Sequence, residues 1–298
     1  MIRGIALGGG GAKGFAHVGV LKVFEREGIS FDVISGTSIG ALVGAVYAAG
    51  NIAALEKEST KIKLTETPKL FSPSWSFGGF FSGKNVLEFL SGYIGYDLIE
   101  QLPKKFAAVS TDLVSGEMYS FQTGDVRQAI RASISIPALF TPVTIENRIL
   151  VDGGTVEPVP IETARSLGAD FVVAVDLFGG GDDTKKNQTS TKPINSALDY
   201  LRGLMDKVRG APSLDDSSQE ALPPRGNLLD ITQKTLRVSQ RRLTSLRLKE
   251  FPADLLIQPD VLDIGLLDFH RGVEAIARGE RAAEAALPKI RESLSDKF

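Results

Sequence analysis

Three short runs in this sequence carry residues that could do chemistry together. Gly36-Thr37-Ser38-Ile39-Gly40 has the pattern G-x-S-x-G. Such a run places a serine on a sharp strand-to-helix turn and lifts its Oγ clear of the sheet. The following helix points its positive end at Ser38, which favours negative charge developing there. The plainer reading is an ordinary turn in which Ser38 only caps a helix. Gly8-Gly9-Gly10-Gly11-Ala12-Lys13-Gly14 forms the second run. Consecutive glycines leave backbone N–H groups unshielded, and a nest of them at a helix start can hold a phosphate or an oxyanion. The third run is Asp152-Gly153-Gly154, behind the apolar Ile149-Leu150-Val151. A carboxylate at the end of a buried strand, its pKa raised by burial, can serve as a general base. Taken alone, this run reads more simply as an Asp-Gly turn.

The glycine run admits three functions. A Walker A loop requires Gly-Lys-Ser/Thr, but Lys13 stands between Ala12 and Gly14, which rejects that reading. Gly9-x-Gly11-x-x-Gly14 literally matches a dinucleotide fingerprint and suggests a nucleotide-binding oxidoreductase. That motif wants an acidic residue at the end of the second strand. Asp32 falls at the strand's beginning, and the strand ends in the serine elbow. An oxyanion hole for an acyl-transfer serine uses the first two runs at once and is preferred. The order Ser38, Asp152, His270 is that of an α/β-hydrolase triad. A nucleophile so early leaves room for only two strands before it, fewer than that fold supplies. His270 lies at a helix start and His17 inside a helix, so both read as structural or surface residues. What remains is a Ser38–Asp152 dyad; a non-catalytic lipid-binding protein is the other alternative, and the intact Ser38, Asp152 and glycine loop weigh against it, because a scaffold needs none of them.

The elements that must position these residues follow from hydropathy. Short buried strands are expected at Ile2–Leu7, Phe31–Ser35, Phe106–Ser110, Glu117–Phe121, Arg148–Val151, Phe171–Val175 and Asp254–Ile257. Helices are expected at Phe15–Glu27, Ile39–Ala49, Lys84–Gly92, Asp125–Ser133 and Ile161–Leu167. A C-terminal helix carries Val273, Ile276, Ala283, Leu287, Ile290 and Leu294 at helical spacing, with a kink near Pro288. Strands alternating with helices imply an α/β fold whose parallel strands are buried on both faces. Stretches 179–193 and 212–224 read as polar loops, and a single domain is expected over 1–298, with a core at about 2–176, a loop-rich insertion at about 179–224 and a helical region at about 225–298.

Composition narrows the field. A 298-residue chain can build a core that needs no staple, and with no cysteine, thiol catalysis and disulfides are excluded. Only two histidines argue against a multi-histidine metal site, and a net charge of −2 gives no field for nucleic acid. The uncharged stretch between Asp32 and Glu56 is divided by Gly36, Thr37, Ser38 and Asn51, so it reads as strand, turn and helix rather than a membrane span. The expected location is cytoplasmic.

Together the three runs resemble the patatin-like phospholipase family, and the tail around Leu255–Asp260 looks similar, less specifically, to bacterial members of its neuropathy-target-esterase-like branch. The matching positions are Gly9–Gly14, Gly36–Gly40 and Asp152–Gly154. Arg131-Ala-Ser-Ile-Ser-Ile-Pro137 and Phe140-Thr-Pro-Val143 look like the block that precedes the family's aspartate. The resemblance covers at least residues 2–176. It implies a three-layer α/β/α fold and a Ser–Asp dyad, with Ser38 as nucleophile, Asp152 as base and backbone N–H groups of Gly9, Gly10 and Gly11 as the oxyanion hole. It implies hydrolysis of phospholipid, lysophospholipid or neutral lipid esters through an acyl-enzyme, with no cofactor. Lys13 and Gly14, Gly36 and Gly40, and Gly153 and Gly154 would support the site. Lys13 reads equally as a solvated lysine or as a support for the loop or an anionic head group.

Two segments suggest where a lipid surface could make transient contact. Phe71, Trp75, Phe77, Phe80 and Phe81 suit a lid or interface anchor, or else fold inward. Lys234, Arg237, Arg241, Arg242, Arg247 and Lys249 lie in a stretch without acidic residues, with Leu229, Leu236, Leu243 and Leu246 on one side. This basic amphipathic helix could rest on anionic lipid, although such faces are more often simply solvated.

Overall fold

The computed structural model describes residues 1–59, 61–62, 79–179 and 228–295. An eight-stranded mixed sheet forms the centre. Its strands are β1 (Arg3–Leu7), β2 (Val33–Thr37), β4 (Lys105–Asp112), β5 (Met118–Phe121), β7 (Val143–Ile145), β8 (Arg148–Asp152), β9 (Phe171–Val175) and β10 (Leu255–Ile257). The order is β10-β9-β1-β2-β4-β8-β7, with β5 also paired to β4. The five strands from β10 to β4 run parallel. Strands β5, β7 and β8 are antiparallel to their neighbours. A separate pair joins β3 (Gly79–Phe81) to β6 (Ala138–Phe140).

Strand alternation divides the core into two faces. Ile5, Leu7, Ile34, Phe106, Val173 and Val175 pack with α1 (Phe15–Arg26), α2 (Ile39–Ala48), α3 (Ile52–Ser59) and the C-terminal helix α8 (Gly272–Ser295). Ala6, Val33, Val172 and Ala174 pack on the other face, with α6 (Ile161–Ser166) and the end of α7 (Leu228–Glu250). The result is the expected α/β fold with helices on both faces of a mostly parallel sheet. Helices α4 (Lys84–Ile94) and α5 (Val126–Ser133) complete it.

The second strand begins two residues later than expected. Phe31 is used as a packing residue, with its ring 5.4 Å from that of Phe24. Asp32 turns its carboxylate back to accept from the Arg3 N–H at 2.9 Å. Helix α8 continues through Pro288. Phe81 is buried against Ile136, Leu139, Phe140 and Leu267, so it folds inward rather than anchoring a lipid surface. Phe71, Trp75, Phe77 and most of the two polar stretches lie outside the described residues.

Helices α1 and α8 touch backbone to backbone. A β-carbon on Gly19 would fall 2.0 Å from the Ile276 carbonyl oxygen, and one on Gly279 would fall 2.0 Å from that of Ala16. Gly19→Val should therefore force the helices apart and cost about 1–3 kcal/mol. Gly92→Ala, in α4 with nothing within 4 Å, should leave stability unchanged or raise it slightly. Urea unfolding midpoints of the two variants compare these effects. Equal midpoints would mean that the α1–α8 contact does not limit stability.

Candidate active site

The three runs converge at the C-terminal ends of β1, β2 and β8. One cleft is lined by Gly9, Gly10, Gly11, Lys13, Ser38, Asp152 and Gly154. Ser38 joins β2 to α2 with φ 56° and ψ −124°, and its side chain makes no capping hydrogen bond. The simple cap reading therefore fails, and the serine sits in a backbone region where non-glycine residues are uncommon. Its N–H donates to Ser133 Oγ at 2.8 Å, and that hydroxyl donates to the Val109 carbonyl at 2.6 Å. A buried side chain in α5 thus pins the turn that strains the serine.

Asp152 ends β8 and is 2% exposed. Its Oδ1 accepts from the Gly154 N–H at 2.8 Å, so the Asp-Gly turn is real. Its Oδ2 is buried and has no hydrogen-bond partner among the described residues. Burial pushes the carboxyl pKa up to about 6, opposed by the nearby Ser38 hydroxyl and the Gly154 N–H. The Asp-Gly turn and the expected base are therefore the same residue, with Oδ1 held by the Gly154 N–H and Oδ2 left without a partner among the described residues.

The glycine loop is held by its neighbours. The Gly8 N–H donates to Val175 O at 3.0 Å, and that of Ala12 to Leu266 O at 2.9 Å. The Gly9 N–H donates to Pro158 O at 2.9 Å. Gly9 lines the cleft, but in this conformation its N–H is committed elsewhere, which narrows the expected oxyanion donors to Gly10 and Gly11. The N–H groups of those two make no hydrogen bond to a described residue. Gly11 has φ +59°, and a β-carbon there would lie 2.4 Å from the Leu266 carbonyl oxygen. Gly14, Gly36, Gly40 and Gly153 leave equally little space; a β-carbon on Gly40 would lie 2.0 Å from the Leu7 oxygen. Gly154 faces the Gln240 carboxamide of α7.

The segment after Asp152 binds the three runs to one another. Its carbonyls accept from Thr37 Oγ1 (Glu157 O, 2.7 Å), Gly9 N (Pro158 O) and Ser35 Oγ (Pro160 O, 2.6 Å). The Glu157 carboxylate accepts from Thr163 Oγ1 at 2.5 Å and Thr163 N at 3.1 Å, fixing the start of α6. Burial raises its pKa to about 7.

Lys13 is not solvated. It is 1% exposed, with its ammonium 5.7 Å from the centre of the Phe178 ring. Burial, and then the charge of Arg237, lower its pKa to about 7. Neither histidine lines the cleft. His17 is fully buried, with Nε2 2.7 Å from Gly8 O. A carbonyl only accepts, so Nε2 carries the proton, and burial lowers the pKa to about 4, keeping the ring neutral. His270 lies half-buried in the short turn before α8.

Several contributors were not foreseen. Ser133 and Arg131 lie in the block Arg131–Pro137, which had drawn notice only as a resemblance. Arg131 donates to Ser82 O, Ser135 Oγ and Thr141 O, and the Ser135 carbonyl accepts the Asp152 N–H at 3.0 Å. A buried arginine inside an apolar helix face was the available signal. Helix α7 closes the cleft with Gln233, Leu236, Arg237 and Gln240. Its basic residues divide between two sides. Lys234, Arg242 and Lys249 are exposed, whereas Arg237 faces the cleft and Arg247 pairs with Glu162. Leu236 points inward and Leu246 outward, so the leucines do not form one free face.

Residues 5–165 match the family described as patatin-like phospholipase. An uncharacterized NTE family protein of Mycobacterium tuberculosis is 32% identical over 95% of this chain and 90% of its own length. A second from the same organism is 31% identical over 95% of this chain, which spans 46% of that relative. The lysophospholipase NTE1 of Coccidioides immitis is 28% identical over 97% of this chain, which spans 18% of that protein. Among solved structures, VipD from Legionella pneumophila aligns over 99% of this chain and 77% of its own, with 14% identity and a TM-score of 0.39. The family match spans more than half of the sequence and takes in the glycine loop, the serine elbow and the aspartate turn, so this chain belongs to the patatin-like phospholipase family.

Proposed function

We propose that this protein is a serine acyl hydrolase that cleaves carboxylic ester bonds of phospholipids or lysophospholipids. The observation that carries the reading is Ser38 held in a strained elbow beside a buried carboxylate with one unbonded oxygen. Asp152 takes the Ser38 proton as Oγ attacks the ester carbonyl. The N–H groups of Gly10 and Gly11 receive the charge that develops on the carbonyl oxygen. Protonated Asp152 then gives its proton to the departing alcohol, leaving an acyl-enzyme. Water, deprotonated by Asp152, reverses the sequence and releases the fatty acid.

A lipid substrate is what the family supports, and the outer face of α7 suits the surface that carries it. Ile231, Val238 and Leu246 are exposed there beside Lys234, Arg242 and Lys249. Apolar side chains among lysines and arginines favour transient contact with an anionic lipid surface. No helix among the described residues is long and apolar enough to cross a membrane.

Fluorophosphonate labelling followed by peptide mapping should find a single adduct on Ser38. Ser38→Ala should abolish the adduct and lower turnover by roughly 10⁴-fold or more. An adduct elsewhere, or turnover surviving the change, would remove Ser38 as nucleophile. His270→Ala should leave turnover nearly intact; a severe loss in a folded variant would restore a three-residue triad.

The pH profile tests the base. Only ionised Asp152 accepts the serine proton, so kcat/KM should rise through about pH 6 and level off above it. The folded pKa lies above the unfolded value, so protonation of this group favours the folded state. Loss of rate between about pH 6 and 4 is then not caused by Asp152 unfolding the chain. A rate that stayed level down to pH 4.5 would sink the assignment.

A further inference from the structure

His17 is a costly residue for the place it occupies. Its ring is fully buried, and Nδ1 has no hydrogen-bond partner among the described residues. A buried polar atom left unpaired is unfavourable, and an apolar side chain at this point of α1 would avoid that cost. What the ring gains in return is the bond from Nε2 to Gly8 O, at 2.7 Å. That bond matters for the other end of the same peptide unit. The Gly8 carbonyl and the Gly9 N–H share one rigid plane. His17 holds the plane by its oxygen, and Pro158 O holds it by its N–H at 2.9 Å. A plane held on both sides is locked against rotation about the single bonds that flank it.

The loop that follows needs such an anchor. Gly9, Gly10 and Gly11 have no β-carbon to restrict them, so without anchors their peptide units would sample many directions. The next fixed plane is that of Gly11 and Ala12, whose N–H donates to Leu266 O at 2.9 Å. The N–H groups of Gly10 and Gly11 belong to the two peptide units between these fixed planes. The first fixed plane also lies against the nucleophile, since a β-carbon on Gly9 would come to 3.5 Å from Ser38 Cβ. His17 is itself firmly seated. It lies two residues before Gly19, where α1 meets α8 backbone to backbone.

We propose that His17 is a positioning residue for ester hydrolysis, whose Nε2–H fixes the Gly8–Gly9 peptide so that the N–H groups of Gly10 and Gly11 face the oxygen on which charge develops. The inference rests on the hydrolase reading and deepens it. It gives His17 no proton to transfer and no contact with substrate. The effect falls on turnover rather than on binding, because the oxyanion exists only after attack.

The test compares the purified full chain with His17→Gln and His17→Met, using p-nitrophenyl butyrate and checking folding by urea unfolding. The two replacements have nearly the same length, and only glutamine brings an N–H donor. His17→Met should lower kcat by about a hundredfold with little change in KM, and His17→Gln should recover most of that loss. The midpoint of the pH profile, at about 6, should not move, because Asp152 is untouched. An alkyl trifluoromethyl ketone, whose hemiketal oxygen would occupy the same nest, should lose affinity in step with kcat/KM. Native-like turnover in His17→Met, or a loss carried by KM, would overturn the proposal. A shifted pH midpoint would do the same, since His17 would then act through Asp152. If methionine prevents folding, His17→Gln decides alone: a loss beyond about tenfold in the folded variant overturns the proposal, and a smaller one upholds it. A native chain that hydrolyses no ester would overturn the hydrolase reading and this one with it, whereas the other failures overturn this one alone.

Discussion

Three carbonyls within four residues hold this site together. Glu157, Pro158 and Pro160 accept hydrogen bonds from Thr37, Gly9 and Ser35. The donors belong to the serine's strand and the glycine loop, and the acceptors follow directly after the aspartate. All are buried or close to it, where an unpaired polar group is costly. Moving any one of the three runs would leave several such groups unpaired at once. The dyad geometry is therefore fixed by backbone and hydroxyl bonds rather than by the reacting side chains. Those side chains remain free to act.

Under the proposed mechanism, that arrangement lets a carboxylate take the place of a histidine. A solvated aspartate is too weak a base to draw a proton from a serine. Burial raises the pKa of Asp152 to about 6, close to that of an ordinary imidazole. The same burial would make a doubly bonded carboxylate rigid and inert. Here Gly154 occupies only Oδ1. The neutral, fully buried His17 meanwhile braces the start of the glycine loop through Gly8 and does not line the cleft.

The proposed reacting residues can be picked out in the sequence because each lies in a local motif whose glycines announce it. Gly36 and Gly40 mark the elbow, and Gly153 and Gly154 mark the aspartate turn. What could not be read was anything decided between segments. Whether the Gly9 N–H points at a ligand depends on Pro158, about 150 residues away, and no spacing rule reports that. Periodicity identified the basic helix but not which of its arginines turns inward, since that is set by the surface it meets. Strands β3, β6 and β7, of three residues each, are too short to show alternation. The start of the second strand was misplaced because Phe31 is apolar for the sake of Phe24, not for the sheet.

The strained backbone at Ser38 bears on the history of such a chain. A non-glycine residue held at φ 56° and ψ −124° costs on the order of 1–3 kcal/mol, and glycine would adopt the same turn with little penalty. A lineage that had stopped using the nucleophile would gain stability from the first serine-to-glycine change at this position. Relatives that keep the fold but carry glycine here would thus be expected among those that only bind lipid. Position 38 is therefore a place where stability and the proposed chemistry pull in opposite directions.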